Sequence, residues 1–211
     1  MTRPIRRAAM AALACLFVAP SLVRAQSSLR LSPGLGVYAP LSDFGNVEGP
    51  SGLIDFGKME GTLAYALSVD LGRPDRAVGF RFSVAYAGRA DVPIDDVGCT
   101  TCQLRSTVLA ASADLIARPL PSMPLLRPYA IIGAGAKMYD FDAGTVTTEL
   151  VRNQAKLAGH FGIGATLFPD GGLGVFAELS DFVNGFEFAD GDGNLQHDMV
   201  FVVGLTLTLG G

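Results

Sequence analysis

Eight stretches of this sequence alternate apolar residues with small or polar ones, and beyond the N-terminus no run of about 18 apolar residues exists to make a membrane helix. A repeat of two is the repeat of a β-strand, whose successive side chains point to opposite faces. Mean hydropathy is nevertheless high at +0.37, with 49% hydrophobic and only 17% charged residues. Apolar side chains are therefore abundant but dispersed, which calls for short strands with one greasy face.

In the first segment Leu29, Leu31, Leu35 and Val37 oppose Arg30, Ser32, Gly34, Gly36 and Tyr38. In the second, Leu63, Tyr65, Leu67, Val69 and Leu71 oppose Ala64, Ala66, Ser68 and Asp70. The third sets Val78, Phe80, Phe82, Val84 and Tyr86 against Gly79, Arg81, Ser83, Ala85 and Ala87. The fourth sets Leu109, Ala111, Ala113 and Leu115 against Ser112 and Asp114. The fifth, from Pro128 to Asp140, opposes Ala130, Ile132, Ala134, Ala136 and Met138 to Tyr129, Gly133, Gly135 and Lys137. In the sixth, Leu157, Phe161, Ile163, Ala165 and Leu167 face away from Lys156, Ala158, His160, Gly162 and Gly164. Leu173, Val175, Ala177 and Leu179 oppose Gly174, Phe176, Glu178 and Ser180 in the seventh. The eighth places Met199, Phe201, Val203, Leu205, Leu207 and Leu209 opposite Asp198, Gly204, Thr206 and Thr208. Runs of about 10 to 13 residues are long enough to cross a bilayer when tilted.

The connections alternate in length. Long polar stretches occupy 40–59, 89–103, 141–154 and 186–197, and each holds more acids than bases. Short links fall at 73–76, 118–127 and 169–172. Long loops at one end and short turns at the other are the pattern of transmembrane barrels, with an even strand count leaving both termini at the short-turn, periplasmic end. A soluble, lipocalin-like barrel is the competing all-β architecture. Its solvated face would carry many Lys, Glu, Asn and Gln. The second face here is mainly Gly, Ala and Ser with about one charge per strand, which suits the filled interior of a narrow barrel.

The N-terminus reads as an export signal. Arg3, Arg6 and Arg7 precede an apolar stretch from Ala8 to Val18, Pro20 breaks it, and Val23-Arg24-Ala25 fits cleavage after Ala25. Leu13-Ala14-Cys15 falls short of a lipoprotein signal, because Ala12 stands where Leu is wanted. Removing residues 1–25, with four Arg and no acid, takes the formal charge from −4 to −8 and leaves a single barrel domain at 26–211. No strongly basic face is left for nucleic acid.

Gly34-Leu35-Gly36-Val37-Tyr38-Ala39-Pro40-Leu41-Ser42-Asp43-Phe44, Arg127-Pro128-Tyr129-Ala130 and Gly204-Leu205-Thr206-Leu207-Thr208-Leu209 carry a resemblance to the small outer-membrane barrels, such as the OmpA transmembrane domain and OmpX. The resemblance spans residues 28–209. It implies an all-β, eight-stranded, antiparallel up-and-down barrel in the outer membrane. The partners it implies are outer-membrane lipid and lipopolysaccharide, with extracellular ligands at the loops. The role it implies is structural or one of surface interaction, without a cofactor. A narrow channel or carrier for small apolar molecules is the main alternative.

The second faces gather Arg30, Asp70, Arg81, Asp114, Lys137, Lys156, Glu178 and Asp198. Buried charges must pair, so an interior salt-bridge network is expected, with His160 as hydrogen-bonded filling. A lipid-A-modifying enzyme would need a nucleophile and base in reach of each other, and His160 with Ser180 and Glu178 is the set available for it. Cys99-Thr100-Thr101-Cys102 lies in a long exported loop, where a local disulfide is expected. Asp190-Gly191-Asp192-Gly193-Asn194 spaces oxygen ligands as calcium loops do, but Leu195 and Phe201 stand where Gly and Glu belong, so an acidic turn and no metal is the expectation. Leu41-Ser42-Asp43-Phe44 is echoed by Leu179-Ser180-Asp181-Phe182, read as chance similarity between two strand ends.

Overall fold

The computed structural model of the protein describes residues 28–49, 52–73, 75–95, 104–142, 151–188 and 192–209. The signal segment, Cys99, Cys102 and Asp190 lie outside them. Eleven strands run in order along the described chain: β1 Leu29–Pro40, β2 Gly45–Gly49, β3 Gly52–Phe56, β4 Thr62–Leu71, β5 Val78–Val92, β6 Ile94–Asp95, β7 Leu104–Ala117, β8 Leu126–Asp142, β9 Gln154–Leu167, β10 Leu173–Glu187 and β11 Asp192–Leu209.

Eight of them close into a barrel in the order β1-β11-β10-β9-β8-β7-β5-β4, with β4 returning to β1. Every pairing is antiparallel and joins chain neighbours once the small strands are set aside, apart from the β1–β11 seam. This is the expected eight-stranded up-and-down barrel. Closure leaves no strand edge with unpaired backbone groups, which a hydrocarbon surrounding would not tolerate.

The two faces separate as the alternation demands. Apolar side chains of one parity stand outward, with Leu157 at 87% and Ile132 at 66% exposure. Around the whole wall Leu35, Val37, Leu63, Leu67, Phe80, Phe82, Phe161, Ile163, Val175, Phe201 and Leu205 are exposed too. A belt of this extent far exceeds the apolar patch a water-soluble monomer presents, and suits lipid. The inward face is narrow. At Gly36 an added Cβ would lie 1.7 Å from the Phe201 carbonyl oxygen, and at Gly135 1.9 Å from that of Ala111. Adjacent strands approach too closely at these points for any side chain.

Turns at the short end are tight. Gly72 takes φ +112°, a left-handed conformation that glycine adopts without strain. Arg73 clasps Asp75 through both Nε and Nη2, 3.1 and 2.9 Å, and this hydrogen bond holds the Asp75 carboxyl below its ordinary pKa.

At the other end the strands outrun their sequence segments. β5 continues to Val92, β8 to Asp142 and β10 to Glu187. The stretch 40–59, expected to be loop, instead contains a β2–β3 hairpin with β6 added at its edge. The reason is a short local alternation. Val47 and Ile54 pair across the hairpin and are buried with Phe56, while Glu48, Leu53 and Asp55 are exposed. A cluster of Phe44, Phe56, Met59, Leu104, Tyr139, Val151, Phe186 and Phe188 forms beneath it. The rings meet edge-on or tilted, as aromatic quadrupoles prefer: Phe44–Phe186 centroids are 4.6 Å apart, Phe44–Tyr139 5.8 Å and Phe56–Phe188 5.2 Å.

Candidate functional site

The interior polar residues fall into three tiers, because inward positions recur every second residue along neighbouring strands. Near the short turns, Arg81 on β5 bridges two carboxylates. It donates to Asp70 on β4 through Nε (2.5 Å) and Nη2 (3.1 Å), and to Glu178 on β10 across the lumen. The guanidinium also lies 4.7 Å above the Tyr129 ring, and the Tyr129 hydroxyl donates to Glu178 at 2.8 Å. Arg118 donates to Asp70 at 3.0 Å. Arg30 has no carboxylate in hydrogen-bond contact, and its Nη2 donates to the Pro169 carbonyl at 2.7 Å. Arg127 donates to Asp170 at 2.9 Å.

The middle tier is built on Asp114 of β7. Its carboxylate receives Ser112 Oγ at 2.9 Å and Ser83 Oγ at 3.3 Å, and lies 2.9 Å from His160 Nδ1. Ser112 Oγ is itself 3.0 Å from that Nδ1. The imidazole stacks on Phe182, centroids 4.0 Å apart. Ser, His and Asp meet here, but not as a nucleophile relay. Serine and aspartate share one ring nitrogen, whereas a relay uses one nitrogen for each. His160 Nε2 is buried without a partner.

Towards the long loops, Lys137 on β8 pairs with Asp198 on β11 and donates to Asn184 Oδ1 at 3.0 Å. Tyr139 lies beside this pair, its hydroxyl 3.3 Å from both Asn184 and Asp198 and its ring 4.6 Å from the ammonium. Phe44 and Phe186 of the aromatic cluster pack edge-on against the Tyr139 ring.

The structure thus brings Arg81, Asp70 and Glu178 together, joins Lys137 to Asp198, and joins His160 to Asp114. It separates Glu178 from His160: Glu178 belongs to Arg81 and Tyr129. Ser180 stands opposite Gly162, whereas His160 stands opposite Phe182. Lys156 has the inward parity but sits at the rim, paired at 2.5 Å with Glu187, whose side chain is 66% exposed. An exposed pair of this kind contributes little. Lys156→Gln is therefore expected to change stability by less than ~0.5 kcal/mol, measured as the urea midpoint in detergent.

Sequence reasoning passed over Arg118, Arg127, Tyr139 and Asn184. Arg118 and Arg127 fall in the Pro-rich stretch between two segments, yet each continues an inward parity, Arg118 that of Asp114 and Ile116 and Arg127 that of Tyr129. Tyr139 and Asn184 continue the inward parities of Lys137 and Ser180, so extending the alternation by two steps finds them. The two Leu-Ser-Asp-Phe stretches converge on one residue. Ser42 Oγ accepts from the His197 amide at 3.2 Å, and Asp181 lies 2.8 Å from His197 Nδ1. Asn194, in the acidic stretch, donates its side-chain amide to the Asp43 carbonyl at 3.3 Å. Among the described residues no group of three metal-ligating side chains occurs.

No protein-family model matches the chain, and no curated protein matches it in sequence. Solved structures do. OprG from Pseudomonas aeruginosa, an outer membrane protein, matches with a TM-score of 0.53 at 12% identity, over 88% of this chain and 97% of that one. Ail, the attachment invasion locus protein of Yersinia pestis, matches at 0.51 and 11%, over 88% and 100%. The outer membrane protein AlkL, solved in lipid bilayers, matches at 0.54 and 12%, over 88% and 92%. The fold is that of the small eight-stranded outer-membrane barrels.

Proposed function

We propose that the protein is an integral outer-membrane barrel with a structural or surface-interaction role, a closed scaffold that holds an ordered acidic end outside the cell. Residues 1–25 are then the cleaved export signal and 26–211 the barrel. The observation that carries this reading is the filled lumen. Among the described residues, two voids along the inner wall measure ≈ 20 Å³ and ≈ 10 Å³, room for about one water each, and a larger cavity of ≈ 540 Å³ is an open groove lined mainly by outward residues such as Ala130, Ile163, Ala165 and Leu179, with Tyr129 and Glu178 at its floor. Arg81, Phe176, Phe182, Lys137 and Tyr139 are buried inside the barrel, and the aromatic cluster packs around Tyr139. Among the described residues this packing argues against an open pore and against a substrate-sized chamber. The same packing works against a lipid-A hydrolase, whose nucleophile must meet a lipid.

At the long-loop end the described hairpin β2–β3 is tied down by Lys58 N donating to Asp43 at 2.9 Å and by Gly57 N to the Pro93 carbonyl at 3.0 Å. Exposed Glu48, Asp55, Glu60 and Asp91 give it acidic character, which favours cationic partners. Outer-membrane lipid and lipopolysaccharide surround the belt.

Two readouts test the proposal. In a chain with Cys99 and Cys102 replaced by Ser, Lys58→Cys is expected to react with a membrane-impermeant maleimide on intact cells, and Asp75→Cys only after lysis. In planar bilayers the native chain is expected to give no discrete conductance steps. Stable steps would overturn the closed scaffold, and labelling of Asp75→Cys on intact cells would invert the orientation.

A further inference from the structure

At the short-turn end the barrel holds more positive charge than its own carboxylates match. Arg30, Arg81 and Arg118 all act on Asp70, and Glu178 adds one further carboxylate through Arg81. Three cations thus face two anions, while Arg127 takes Asp170 from the rim. Arg30 and Arg118 are 5% and 3% exposed, and each keeps a buried donor with no hydrogen-bond partner, Arg30 Nε and Arg118 Nη1. An unmet donor on a buried cation is the costliest kind to leave.

One turn contacts two of the arginines at this end. Pro169 gives its carbonyl to Arg30, and Asp170 gives its carboxylate to Arg127. The Asp170 side chain is 58% exposed, and nothing lies within 4 Å of a Cβ placed on Gly172. A carbonyl dipole and a half-solvated carboxylate are weak partners for guanidinium groups, and the turn that carries them is tied by backbone hydrogen bonds from Thr208 N to the Gly172 carbonyl at 2.9 Å and from Gly171 N to the Phe168 carbonyl at 3.2 Å, which opening it must break.

We propose that this end of the barrel is an anion site for a phosphate group, held by Arg30 and Arg118 once the Pro169–Gly172 turn moves aside. Phosphate oxygens accept from guanidinium forks in pairs, and the group supplies the negative charge that Asp70 and Glu178 leave short. Two sources share this chemistry, the diester of a phospholipid headgroup and free inorganic phosphate. Only the lipid source depends on the membrane placement proposed above.

The test uses the mature chain refolded in a phosphate-free non-ionic detergent. Inorganic phosphate and a short-chain phosphatidylglycerol are titrated separately, read by phosphorus NMR line broadening and by the thermal midpoint, with sodium chloride at matched ionic strength as control. Saturable broadening and a raised midpoint are expected with at least one of them and absent with chloride. Broadening by the diester alone assigns the lipid headgroup, and broadening by both assigns any accessible phosphate. Arg118→Gln is expected to weaken binding about tenfold or more. Asp170→Asn, which releases the turn's ion pair with Arg127 without touching the proposed ligands, is expected to strengthen it several-fold. The slower gel mobility of boiled protein checks in each sample that the barrel is folded, so failure of the barrel reading stays distinct from failure of the site. If the folded native chain binds neither probe saturably, or if Asp170→Asn binds phosphate no better than the native chain, the site does not exist.

Discussion

Gly36→Ala is expected to prevent stable closure of the barrel. Gly36 sits in the seam between the first and last barrel strands, opposite Val202 of β11 and Ala64 of β4. The methyl group would have to occupy space 1.7 Å from the Phe201 carbonyl oxygen, well inside contact distance. The obstacle is backbone rather than a movable side-chain end, so relief requires parting the strands and stretching ladder hydrogen bonds. Overpacking usually costs about 1–3 kcal/mol, and a collision with a paired carbonyl belongs at or above the top of that range. Refolded Gly36→Ala is expected to run at one gel mobility whether boiled or not, or to unfold at a urea concentration far below that of the native chain. Gly172→Ala, where the added methyl meets nothing within 4 Å, is the matched control and is expected to fold normally. Normal heat-dependent mobility of Gly36→Ala would show that β1 and β11 do not approach this closely.

Arg81→Leu carries the second-largest expected effect, a loss of about 3–5 kcal/mol. The substitution leaves Asp70 with Arg118 as its one remaining hydrogen-bonded cation and Glu178 with only the Tyr129 hydroxyl. Removing one partner from a buried ionic group costs far more than the group contributes as a whole, because the abandoned charge stays desolvated. The triple change Arg81→Leu, Asp70→Asn, Glu178→Gln removes the charges together. It is expected to recover a large part of the loss in equilibrium urea unfolding. Equal destabilisation in the single and triple variants would mean that Arg81 acts through packing alone.

The barrel was legible in the sequence because its governing physics is local and periodic. Lipid outside and a crowded axis inside force each strand residue to one of two faces, and Val78 to Ala87 or Met199 to Leu209 record that choice at every position. The long-loop end was less legible. Val47, Ile54 and Phe56 alternate over too few residues to stand out, and their burial depends on Phe186 and Phe188, far along the chain. Pairing inside the lumen was legible only as a requirement. Parity put Arg81, Glu178 and His160 indoors, but partners across the lumen are set by strand stagger and side-chain length. Hence Glu178 meets Arg81, which is 97 residues away in sequence, while His160 turns to Asp114. Lys156 shows the same limit, since parity gives the face and not the height along the barrel.

The seam between β1 and β11 has a consequence for biogenesis. The strand that begins the barrel finds one of its two neighbours only in the strand that completes it, where Leu29 pairs with Leu209. Until those residues arrive, β1 offers an open edge of unpaired amides and carbonyls, and such edges invite pairing with other chains. Contacts this distant in sequence also form slowly. Closure is therefore a decision deferred until β11 is available, and the polypeptide needs an escort that keeps it extended until the first and last barrel strands can meet.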